Sequence, residues 1–103
     1  MAQDPENPLK APIPQTDEGM PPIDFTTFIL SLASATMIDL GEMEGPDGLR
    51  HPNLPMARHH VDILAMLQEK TRGNLSGEEE RLLHQLLYDL RMRFIHLAEK
   101  VKP

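Results

Sequence analysis

Residues 76–101, SGEEERLLHQLLYDLRMRFIHLAEKV, decide the fold. Ser76 and Glu79 stand at the spacing of a capping box, in which each side chain accepts from the other residue's backbone N–H. Glu78, Glu79 and Glu80 favour the positive end of a helix. Leu83, Leu87, Leu90, Phe94, Leu97 and Val101 then recur at alternating spacings of four and three, a heptad seam with no polar interruption. The pattern predicts a helix over 77–101.

Reading back toward the N-terminus, Gly73-Asn74-Leu75 is a short connection, which joins this helix to its predecessor as an antiparallel αα-hairpin. The predecessor is predicted over 54–72, from an Asn53 cap with Pro55 in the first turn to Arg72 before Gly73. Leu54, Ala57, Val61, Leu64 and, beside them, Ile63 and Leu67 make its apolar face. Before it, Glu42–Pro52 carries the turn signal Gly45-Pro46-Asp47-Gly48. Its acids lack the alternation and terminal Glu of a calcium loop. A further helix is predicted over 24–40, from an Asp24 N-cap to Gly41 as the residue after the C-cap. Phe25, Phe28, Ile29, Leu32, Thr36 and Leu40 share one face, while Leu30, Met37 and Ile38 lie off it. After Asp24 no charge occurs before Asp39, and a helix without a charged face is covered on more than one side.

Lengths sharpen this expectation. At 1.5 Å per residue the three helices span roughly 24, 28 and 37 Å. Folded back from Gly73, the second helix reaches to about residue 95 of the third, so Leu97 and Val101 are expected to project past it.

The whole chain has 103 residues, ten prolines and no cysteine or tryptophan, which sets one small domain at most. Six of the prolines fall in residues 1–22, where apolar side chains are too few to offset chain entropy. The expected organisation is a disordered, Pro-rich, acidic leader over 1–22 and an all-α three-helix domain over 23–103. A net charge of −6 disfavours nucleic acid, whose binding rests on Lys and Arg neutralising phosphate. The absence of cysteine removes disulfides and thiolate chemistry. The acidic, Pro-rich start differs from the basic and apolar start of a secretory leader, and the uncharged run Phe25–Ile38 is shorter than the roughly 20 residues of a membrane span. The chain reads as cytoplasmic.

Five histidines are the candidates for metal or acid–base work. His59 and His60 are consecutive and point about 100° apart on a helix. Glu80 and His84 share a face, but two ligands fall short of a metal site unless neighbouring chains add more. No Gly-rich phosphate loop, GxSxG or HExxH occurs, so neither a catalytic residue nor a cofactor is implied. Arg91, Arg93 and Lys100 flank the seam, where a partner can be selected. A parallel self-pairing through that seam sets Arg93 against Ala98 and Leu86 against Arg91, with no opposite charges opposed.

The segments PPIDFTTFILSLASATMIDLGE and NLPMARHHVDILAMLQEKTRGNLSGEEERLLHQLLYDLRMRF together resemble the small bacterial family catalogued as domain of unknown function 1844. The resemblance runs from about Pro21 to Phe94 through Asp24-Phe25, Leu40-Gly41-Glu42, Asn53-Leu54-Pro55, Gly73-Asn74-Leu75 and Leu87-Tyr88-Asp89-Leu90-Arg91. It implies a helical bacterial protein and carries no reaction or cofactor. His59-His60 and a short acidic loop depart from the family pattern.

The functional expectation is a non-catalytic interaction module that pairs with itself or with another helical protein. Its expected interface is Phe25, Phe28, Ile29, Leu32 and Ile38 of the first helix with Leu90, Phe94, Leu97 and Val101 of the third. The alternatives are a metal- or ligand-binding accessory protein using Glu80 and His84 across chains, and a nucleic-acid-associated regulator using Arg91 and Arg93.

Overall fold

The computed structural model describes residues 22–101. The leader expected over 1–22 therefore lies outside the described residues, Pro22 excepted. Three helices and no strand occupy the described chain: α1 (Phe25–Asp39), α2 (Leu54–Lys70) and α3 (Gly77–Lys100), each packed against both others. None is long and apolar enough to cross a membrane.

Local chemistry sets each boundary. The Asp24 carboxylate accepts from the Thr27 N–H at 2.7 Å and caps α1. The Asn53 side chain accepts from the Met56 N–H, and the capping box of α3 is complete, with Ser76 Oγ accepting from Glu79 N–H and Glu79 Oε1 from Ser76 N–H. At the far end of α1, Glu42 N–H donates to Met37 O and Gly41 N–H to Ile38 O. That pair of bonds is a Schellman motif, and it requires the left-handed φ of +75° that Gly41 adopts. The second helix ends at Lys70, two residues before the expected boundary. Thr71 turns its hydroxyl back onto Leu67 O, and the chain reverses through Gly73 at φ +83°.

Each helix contributes one line of residues to the core. The lines are Ile29, Ala33 and Thr36 from α1, continued by Leu40; Ala57, Val61 and Leu64 from α2; and Leu83, Leu87 and Leu90 from α3. On α1 this differs from the expected face, because Ala33 is buried and Phe28 turns outward. The spacing 29-33-36-40 passes through Ala33, and a small side chain there and at Ala57 lets helices approach closely. Thr36 is the one buried polar residue among the described ones; its hydroxyl donates to Leu32 O at 2.7 Å, so its burial leaves no polar group unpaired.

The hairpin is antiparallel, since one cleft joins Arg58, Val61 and Asp62 to Arg91, Phe94 and Ile95, and another joins Gln68 to Gly77, Glu80 and His84. In this register the first turn of α2 lies near the last turn of α3. The expected overhang is correspondingly smaller. Leu97 is half-buried against the core and Val101 alone of the seam is widely exposed, at 59%.

Two polar links fix the connection between α1 and α2. Asp39 Oδ2 bonds His60 Nδ1 at 2.5 Å, and Asp39 O accepts from Asn53 N–H at 2.7 Å. An acid at a helix C-terminus opposes the helix dipole, and the His60 ring supplies its compensating partner. Within the loop, Gly45 N–H donates to Leu49 O, Asp47 accepts from Leu49 N–H, and Asp47 bonds His51 at 2.8 Å.

Candidate interaction surface

The nine expected interface residues divide three ways. Ile29 and Leu90 are fully buried in the protein's own core. Phe25, Leu32, Phe94 and Leu97 are half-buried against that core, and Ile38 is half-buried beneath the loop at Gly45. Phe28 and Val101 are exposed. The seam of α3 thus serves the monomer along most of its length.

What α1 offers outward is apolar and small. Phe28 and Leu30 are 40% and 44% exposed, with Ser31 and Ser34 beside them. Ser31 Oγ donates to Phe28 O at 2.6 Å, so its hydroxyl is turned onto the helix's own backbone. No charged side chain lies on α1 before Asp39.

On α3 the exposed apolar residues follow a rule that the sequence reading missed. Arg81, Gln85, Tyr88, Met92, Ile95 and Glu99 recur at spacings of four and three, and all six are exposed. Tyr88 is 66% exposed, Met92 and Ile95 each 50%. Every member stands two residues before a member of the core seam, so the two stripes lie about 200° apart around the helix. The third helix therefore carries a second heptad stripe, apolar at its centre and charged at its ends.

The charged candidates do not converge. Arg93 is held between Asp89, Nε to Oδ2 at 2.9 Å, and Glu42, Nη1 to Oε2 at 3.3 Å. The bond to Asp89, ahead of the charge of Glu42, raises the pKa of its guanidinium. With Met92, His96, Leu97 and Lys100 these groups line a cleft of about 430 Å³ between the loop and α3. Arg91 lies on another side, in the smaller cleft of about 190 Å³ with Arg58, Val61, Asp62, Phe94 and Ile95. The two arginines thus belong to separate surfaces.

The histidines are dispersed too. His60 is engaged by Asp39 and His51 by Asp47, while His59, His84 and His96 are exposed. Glu80 and His84 do share one shallow cleft, with Gln68, Gly77 and Arg81. Among the described residues no three His, Cys, Asp or Glu side chains group as a metal site.

A family model described as Domain of unknown function (DUF1844) matches residues 22–96, well over half of the chain. The chain belongs to this family. The DUF1844 match takes in α1, α2, their loop and α3 as far as His96, in agreement with the resemblance carried by Pro21–Phe94. Tyr88, Met92 and Ile95 lie inside it, whereas Glu99 and Val101 lie beyond. No curated protein and no solved structure matches the chain.

Proposed function

We propose that this DUF1844 protein is a non-catalytic helical interaction module whose partner is a second copy of itself. The observation that carries the reading is the C-terminal half of α3, which exposes Tyr88, Met92 and Ile95 on one face within eight residues. Adjacent exposed apolar side chains at helical spacing mark docking surfaces rather than solvated faces. The uncharged outward face of α1, with Phe28 and Leu30, supports the same reading, because about 80 ordered residues supply only a thin core. Light scattering of the full chain tests it. A mass above that of the 11.7 kDa chain at micromolar concentration is the expected outcome. A folded monomer throughout the accessible range would refute self-association.

A further inference from the structure

Resting on that reading, we infer that two copies pair through the outer stripe of α3, antiparallel, about a two-fold axis passing beside Leu90. The argument is the order of residues along the stripe. Arg81, Gln85, Tyr88, Met92, Ile95 and Glu99 are the a and d positions of a short heptad run, every one exposed. Reversing the stripe about residue 90 sets Tyr88 opposite the partner's Met92, Gln85 opposite the partner's Ile95 and Arg81 opposite the partner's Glu99. Each pairing occurs twice by symmetry, as an isologous interface requires. The apolar layers fall at the centre and opposite charges close both ends, over roughly 27 Å of helix.

Parallel pairing in register does the reverse. It stacks Arg81 on the partner's Arg81 and Glu99 on the partner's Glu99, so like charges meet at both ends. The core seam takes no part, since Leu83, Leu87 and Leu90 are committed to the monomer. Near the axis Asp89 is already paired with Arg93 of its own helix at 2.9 Å, so two acids brought together there are each compensated.

Sedimentation equilibrium of the full chain, with helicity measured alongside, tests the register. Arg81→Glu alone and Glu99→Arg alone are expected to weaken dimerisation about tenfold, the sum of two surface charge pairs turned repulsive. The double variant Arg81→Glu, Glu99→Arg is expected to restore it. All three variants are expected to keep the monomer fold, because both side chains are exposed. The chain has no cysteine, which allows a second readout. Oxidising a mixture of Gln85→Cys and Ile95→Cys chains is expected to give the cross-linked heterodimer, and neither variant alone is expected to link, because like positions lie about 15 Å apart along the axis. A dimer indifferent to the charge variants, or Gln85→Cys linking to itself, would overturn the antiparallel register while leaving self-association standing. A monomeric wild-type chain would remove both.

Discussion

Two glycines with the same backbone sign differ in surroundings, and that difference is measurable. Gly73 has φ +83° with open space where a Cβ would stand, whereas a Cβ on Gly41, φ +75°, would meet Pro52 Cγ at 2.7 Å. Gly73→Ala should cost about 1–2 kcal/mol from left-handed strain alone. Gly41→Ala should cost more, because a proline ring cannot swing aside, and thermal melting of the two variants checks the order. At the other end of α1, the Thr27 backbone bond holds the Asp24 carboxyl below its ordinary value of 3.8. A depressed pKa means that the cap contributes above the unfolded value and is lost as pH falls through the folded one. Asp24→Asn keeps a capping oxygen that does not titrate, so its melting temperature should fall less than that of the wild type on acidification below 3.8.

The helices were legible from the sequence to the extent that their signals are local. Asp24, Asn53, Ser76 with Glu79, and Gly41 each act within one turn of themselves, and each does in the structure what its residue type requires. Ser76→Ala removes one half of the α3 capping box and should cost about 1 kcal/mol, read as a lower urea midpoint with unchanged slope. Less legible was which face each helix spends on its neighbours. Spacing alone gives a stripe without its partner, so Ile29 and Leu90 read as interface residues although the monomer buries both, and Phe28 reads as sharing the face of Ile29 although the line through Ala33 turns it outward. The outer stripe of α3 escaped notice because Arg81, Gln85 and Glu99 resemble any solvated face. Only the exposure of Tyr88, Met92 and Ile95 between them separates it from one. In the antiparallel pairing, Arg91 of both copies flanks the axis on the side away from Asp89. Arg91→Ala should therefore tighten association, seen as a larger dimer fraction at equal concentration.

For the molecule as a whole, the decisive feature is that α3 has two stripes with one spacing, offset by two residues. One completes the three-helix core through Leu83, Leu87 and Leu90; the other is proposed to meet a second copy. Pairing then adds its free energy to the folded state alone, as any ligand of the native state does. The melting temperature should rise with protein concentration, and in the Arg81→Glu variant the same rise should set in at about tenfold higher concentration, as calorimetry over a dilution series would record. A helix shared in this proposed way would make abundance a determinant of lifetime. Scarce chains would unfold and be degraded more readily than plentiful ones, so the same rod that closes the core would also sense how many copies are present.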